Sequence, residues 1–137
     1  MSNWRLFKIT VRGSFFIVYF WFGLLKVLYV SSAYSMVSDL LLGIFPTANP
    51  DIFIFYFGLV EMFIGLMFLF PKFTKVATFL TTIHLISCFL PFIVVPDLVW
   101  KSFGVLTQEG QYIVKNVFII AGLIGLNHNS EAIRKDK

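Results

Sequence analysis

The chain has 137 residues, 58% of them hydrophobic and 19% aromatic, and carries a formal net charge of +4. At a mean hydropathy of +0.87 this is more apolar surface than a soluble core of the same size can bury, which excludes a soluble domain and indicates a single-domain integral membrane protein. The basic excess does not imply nucleic acid, because Lys and Arg stand at the ends of apolar segments where they set orientation, and the single cysteine, Cys88, leaves no intrachain disulfide or Cys-x-x-Cys pair.

Met1 to Gly13 is a basic segment with Trp4, Arg5, Lys8 and Arg12, of the kind that lies at a membrane interface. A first span is expected over residues 14–34, with Lys26 its one charge. The basic start, the apolar run and Ser32-Ala33 also resemble a secretory signal, although Lys26 interrupts the apolar region. Ser35 to Asp51 connects to the next span and contains Pro46, Asn49 and Pro50; its middle, Val37 to Phe45, is apolar enough for a short helix lying on the bilayer or folded over the bundle.

The second span, residues 52–70, reads IFIFYFGLVEMFIGLMFLF, and its only charge, Glu61, falls near the centre. As a helix it is about 28 Å long, close to the roughly 30 Å of bilayer hydrocarbon. A central carboxylate costs roughly 3 kcal/mol on insertion scales, and the Ile, Leu, Phe, Val and Met residues return roughly −7 kcal/mol at about −0.5 each, so the helix still inserts. Pro71 to Lys75 is a tight basic turn. A third span over 76–94 carries His84 near its centre and Cys88 one turn on, and Pro91 is expected to close its regular helix. Pro96 to Gly110 forms a second long loop, a fourth span covers 111–126, and Asn127 to Lys137 is a polar tail. The expected fold is therefore all-α and polytopic, a bundle of four transmembrane helices.

Of the eleven Lys and Arg, eight lie in the N-terminal segment, the Pro71–Lys75 turn and the tail, whereas the two long loops hold only Lys101. The positive-inside rule then places both termini in the cytoplasm and both loops outside. On that topology Glu61 and His84 lie about 15 Å below the outer boundary, Lys26 about 10 Å and Lys115 about 6 to 8 Å. Helical spacing gives one stripe of Gly58, Glu61 and Gly65, another of Gly23 and Lys26, a third of Thr81, His84, Cys88 and Pro91, and a fourth of Gln111, Lys115 and Gly122. Glycines beside charges allow close helix packing, so these stripes are expected to face the bundle interior.

Each polar group has two readings. Lys26 and Glu61 are either a structural ion pair that fixes helix registry or a functional pair. His84 is either a hydrogen-bonded core residue or a ligand and proton-transfer group, and Lys115 either lines the interior or snorkels to the outer surface. Cys88 reads as a small apolar packer. No haem is expected, since His128 sits at the far end of the fourth span from His84, and no metal-spaced cluster or Gly-rich phosphate loop is present.

YFWFGLLKV in the first span, FGLVEMFIG in the second, FLPFIVVPDLVW after the third and LTQEGQYIVKN opening the fourth together resemble the DoxX-like family of small bacterial membrane proteins. The resemblance covers nearly the whole chain and rests on Gly23-x-x-Lys26, Glu61-x-x-x-Gly65 and Glu109-Gly110-Gln111-Tyr112-x-x-Lys115-Asn116. It implies a four-helix bundle of the bacterial inner membrane, similar in outline to quinone-reactive disulfide-forming enzymes but without their cysteine pairs. Some relatives are subunits of thiosulfate:quinone oxidoreductase or belong to thiol-redox assemblies.

The leading expectation is a redox-associated subunit with a polar pocket toward the outer face, lined by Lys26, Glu61, His84 and Lys115 with Gln111, Tyr112 and Asn116, that holds a quinone headgroup or similar molecule. Such a pocket would supply hydrogen-bond donors and protons at a depth a lipophilic quinone reaches. Its partners would be the lipid bilayer, a redox protein or further copies of the chain. The alternative is a non-enzymatic protein, partner-stabilising or transporter-like, whose buried charges only hold the bundle together; the lack of broken helices and inverted repeats counts against a stand-alone transporter.

The topology has a direct check. Thiol labelling of introduced cysteines should find Thr74 and Ser130 on one side of the membrane and Asn49 and Ser102 on the other; Asn49 and Thr74 on the same side would rule out four spans.

Overall fold

The computed structural model describes residues 3–135, with side chains described through Asn127. His128, Arg134 and Lys135 lie outside the described side chains and Lys137 outside the described residues. Helix α1 (Asn3–Val27) is followed by α2 (Tyr34–Ile44), α3 (Pro50–Leu69), a 3-10 turn (Pro71–Phe73), α4 (Thr74–Ser87), two single-turn helices α5 (Pro91–Val94) and α6 (Pro96–Val99), a hairpin of β1 (Trp100–Ser102) and β2 (Val105–Leu106), and α7 (Gln108–Lys135). Four segments are long and apolar enough to cross a membrane: Asn3–Val27, Pro50–Leu69, Pro71–Val94 and Gln108–Asn127. The chain is a polytopic, largely helical membrane protein.

Three local features depart from the sequence expectation. The N-terminal basic segment is not separate from the first span, because α1 is helical from Asn3 onward. At the other end α1 stops at Val27 and does not run on to Tyr34: Tyr29 adopts a left-handed conformation (φ 57°), which ends a right-handed helix. The second long loop is not irregular throughout. Pro96 starts a single helical turn, as Pro91 does near the end of the third span after α4 has stopped at Ser87, and Phe103-Gly104, with Gly104 at φ 74°, turns the chain between the two short antiparallel strands.

The connection between α1 and α3 does contain a short helix, α2, whose Leu41 is buried. Its Tyr34 hydroxyl donates to the Asp51 carboxylate, and that hydrogen bond raises the Tyr34 pKa above the usual phenol value. Asp51 belongs to the first turn of α3, which is well capped. The Asn49 side-chain oxygen accepts from the amides of Asp51 (3.0 Å) and Ile52 (3.3 Å), and Pro50 fills the first helical position, where no amide hydrogen is needed. We call this end of the bundle the loop end. At the opposite, basic end, Arg12 donates to the Phe68 carbonyl (3.1 Å) and to Thr74 Oγ1 (2.6 Å), so one guanidinium ties α1 to the end of α3 and the start of α4.

Helices α1 and α3 run antiparallel and form the closest contact in the bundle. A Cβ added to Gly58 would stand 2.6 Å from the Gly23 carbonyl oxygen and 2.8 Å from the Lys26 Cβ, and one added to Gly23 would stand 2.5 Å from the Gly58 carbonyl oxygen. Backbone therefore rests on backbone, the arrangement that small residues permit between helices in lipid. Around this seam Phe15 and Tyr19 of α1, Ile64, Met67 and Phe68 of α3, Ala77 and Leu85 of α4, and Leu123 and Leu126 of α7 form the core. Trp21, Phe22, Tyr56, Phe63, Phe79, Ile86 and Phe118 stay exposed. Exposed aromatic and aliphatic faces on all four long segments suit a hydrocarbon surrounding, where they need no cover.

The seam predicts a clear penalty. Gly58→Ala should lower stability by about 1 to 3 kcal/mol, the usual cost of overpacking, whereas the same change at Gly13, which has open space around it, should be near neutral; thermal unfolding in nanodiscs would compare the two.

Candidate functional site

Close approach of α1 and α3 brings their charges together. Lys26 lies in the last turn of α1, where the helix dipole favours a cation, and Glu61 lies at the middle of α3. Lys26 Nζ donates to Glu61 Oε2 at 2.7 Å, and the two residues are only 6% and 4% exposed. Two unpaired charges there would cost about 6 kcal/mol together on the insertion scale, so the pairing removes most of a heavy penalty.

A third helix extends the pair. His84 of α4 places Nε2 at 2.9 Å from the second carboxylate oxygen, Glu61 Oε1, and its Nδ1 lies 3.1 Å from the hydroxyl of Tyr19 on α1. One assignment of hydrogens accounts for all three contacts: Lys26 as ammonium and the Nε2–H of a neutral imidazole donate to an ionised Glu61, and the Tyr19 hydroxyl donates to Nδ1. This gives an unbroken chain, Tyr19–His84–Glu61–Lys26, whose net charge is zero. The Phe57 ring covers it on the loop side, with its centroid 5.3 Å from the His84 ring and 5.7 Å from Lys26 Nζ. Cys88, one turn beyond His84, has its Sγ 3.9 Å from both ring nitrogens and is the free thiol nearest the chain.

Two of these participants, Tyr19 and Phe57, are not singled out by the sequence reading. Tyr19 was within reach of it, since Tyr19, Gly23 and Lys26 repeat at the i, i+4, i+7 spacing of one helix face. Phe57 precedes Gly58 in a run of aromatic residues and carries no distinguishing signal.

The structure brings together Lys26, Glu61 and His84 and places the α7 residues elsewhere. Helix α7 turns Ile113, Leu123 and Leu126 into the bundle. Gln111, Tyr112 and Lys115 lie on its exposed side, and Asn116 is half-buried. Lys115 Nζ sits 5.1 Å from the Tyr112 ring centroid, a cation–π contact, and Gln108 Nε2 donates weakly to the Tyr112 hydroxyl at 3.4 Å. A cavity of about 210 Å³ lies between α1 and α7 against Phe15, Val18 and Phe118, and one of about 110 Å³ lies between α4 and α7 against Leu85 and Phe89. Both are apolar, and neither is lined by Lys26, Glu61 or His84. Among the described residues no group of three or more His, Cys, Asp or Glu could hold a metal ion.

Chemically, the chain can hold, release and pass protons: it contains a base, an imidazole that can act as either donor or acceptor, and a phenol, all in contact and largely out of water. Comparison with protein-family models, with curated proteins and with solved structures gives no match.

The ion pair makes an asymmetric prediction. Glu61→Gln strands the Lys26 ammonium in a buried position and should cost about 3 to 5 kcal/mol, whereas the double change Lys26→Met with Glu61→Leu should cost less or even stabilise. Unfolding midpoints of the three proteins in one lipid mixture would rank them; a single variant as stable as the double one would mean that the pair is not dry.

Proposed function

We propose that the chain is a DoxX-like, redox-associated subunit of the bacterial inner membrane, and that the Tyr19–His84–Glu61–Lys26 chain exchanges protons with a quinone-like molecule. The observation that carries this reading is His84, bound on one ring nitrogen to a carboxylate and on the other to a phenol inside the bundle. Ionisable groups at this depth are expensive and are by default functional. A quinone taking two electrons must also take two protons, and imidazole is the side chain whose ordinary titration falls near neutrality. With a single cysteine in the chain, the electrons would come from a partner redox protein. In this reading the termini and the Pro71–Lys75 turn face the cytoplasm, following the basic residues, and α2 lies at the outer interface.

A second reading has its own support. Glu61 uses both oxygens and Lys26 is paired at 2.7 Å, so the cluster also suits a purely structural role that fixes the registry of α1, α3 and α4 in a non-enzymatic subunit.

His84→Phe separates them. The proton-exchange reading expects a folded protein that no longer retains a quinone-type ligand or supports its reduction. The structural reading expects unchanged ligand content and a loss of about 1 to 3 kcal/mol from the broken buried contacts. Mass spectrometry of extracted ligand and thermal unfolding, both on the same preparation, would decide.

A further inference from the structure

Helix α4 carries a line of polar side chains of which the buried chain uses only His84. Thr74, Thr78, Thr81, His84 and Cys88 follow one another every three or four residues, so they share one side of the helix from its basic end to the level of Glu61. Most are already joined to neighbours. Thr74 accepts from Arg12 and donates to the Pro71 carbonyl, Thr78 accepts from Asn127 Nδ2 of α7 at 3.0 Å, and His84 belongs to the chain.

Thr81 differs. It is completely buried, and its hydroxyl has no hydrogen-bond partner. A buried hydroxyl left unpaired costs about 1 to 3 kcal/mol, and valine would fill the same space without that cost. Thr81 stands one turn from His84 and near enough to the Tyr19 hydroxyl for a side-chain hydrogen bond, although that bond is not fully formed in this geometry. That position matters for what His84 can do. Neutral His84 accepts from Tyr19 at Nδ1, but a protonated His84 has a hydrogen there and can no longer accept, so the Tyr19 hydroxyl then needs another acceptor. Thr81 Oγ1 is the unoccupied one at hand.

We propose that Thr81 is the proton-relay residue of this protein, linking the Tyr19–His84–Glu61–Lys26 chain along α4 to the basic end of the bundle; the inference rests on the reading that His84 exchanges protons. In the step it implies, a proton arriving from the basic end goes onto Thr81 oxygen, the hydroxyl proton of Thr81 goes to Tyr19 oxygen, and the hydroxyl proton of Tyr19 goes to His84 Nδ1. Each hydroxyl gives one proton and takes one. The site gains a single positive charge, an imidazolium whose Nε2–H still donates to Glu61. The groups facing His84 are then Tyr19 from α1, Glu61 and Phe57 from α3, and Cys88 from its own helix, with Lys26 behind Glu61. Between Thr81 and the basic end the polar side chains on this side of α4 are Thr78, held by Asn127, and Thr74, held by Arg12. Toward the loop end His84 meets instead the Phe57 ring and Cys88.

The test follows His84 itself. In the full-length protein in nanodiscs, with labelled histidine and His84→Phe as the assignment control, infrared spectroscopy after a pH jump gives both the extent and the rate of His84 protonation. Thr81→Val should move His84 protonation to lower pH, because the Tyr19 hydroxyl then loses its second acceptor, leave the unfolding midpoint no lower, and slow the rate by about a hundredfold, the lower end of what a positioned proton donor contributes. Thr81→Ser should restore the rate to within about twofold, and Asn127→Leu should slow it as Thr81→Val does. A rate unaffected by Thr81→Val overturns the relay and leaves the proposed function standing, because ligand retention is read separately. A His84 that never changes protonation between about pH 4 and pH 10 overturns both.

Discussion

The structure depends on the contact of two backbones. Because Gly23 and Gly58 have no side chains, α1 and α3 approach until the carbonyl of each blocks the space of the other's missing Cβ. At that separation Lys26 reaches Glu61 directly. Were the helices held further apart by even one methyl group, the ammonium and the carboxylate would each keep part of their desolvation cost uncompensated, and in hydrocarbon no water is present to make up the difference. The glycines and the charges are therefore one device: the seam makes the pair short, and the pair, once short, opposes any sliding of the seam.

Around this device polarity is inverted relative to a soluble protein. Charges and hydroxyls point inward from α1, α3 and α4, and phenylalanine, tryptophan and isoleucine face outward. The fourth long helix takes little part in the polar interior. Its inward residues are Ile113, Leu123 and Leu126, and its described polar link to another helix is Asn127 to Thr78 near the basic end. The bundle is thus a polar three-helix assembly with an apolar fourth member leaning against α4, and both apolar cavities border that fourth helix.

What the sequence disclosed follows from which energies are large. Spans were legible because burying a polar backbone in lipid is costly enough to force long apolar helices, and the Lys26–Glu61 pair was legible because two unpaired charges at that depth are prohibitive. Depth, however, fixes only height along the bundle normal. Lys115 shares an approximate depth with Lys26 but lies on the outward side of α7, and nothing in its spacing from Gln111 and Gly122 separates a polar inner face from a polar rim. Tyr19 could be reached only by its spacing from Gly23 and Lys26, and Thr81 only as a member of the His84 stripe, because tyrosine and threonine cost little in a lipid-facing helix and neither demands a partner on sequence grounds. The end of α1 just before Tyr29 and the strand pair around Gly104 turn on single backbone conformations that carry no hydropathy signal.

The hydrogen-bonded chain also decides how local a perturbation can be. Glu61 binds Lys26 through one oxygen and His84 through the other, so negative charge drawn toward one partner is withdrawn from the second. In a low-dielectric interior such changes are felt strongly. A proton gained by His84 tightens its hold on Glu61, loosens that of Lys26, and at the same time frees the Tyr19 hydroxyl. The consequences appear on α1 at two places, Tyr19 and Lys26, two helical turns apart and on either side of Gly23. A change in the protonation state of one imidazole on α4 would in this way reach the glycine seam that holds α1 against α3, through Glu61 and Lys26 on one side and Tyr19 on the other.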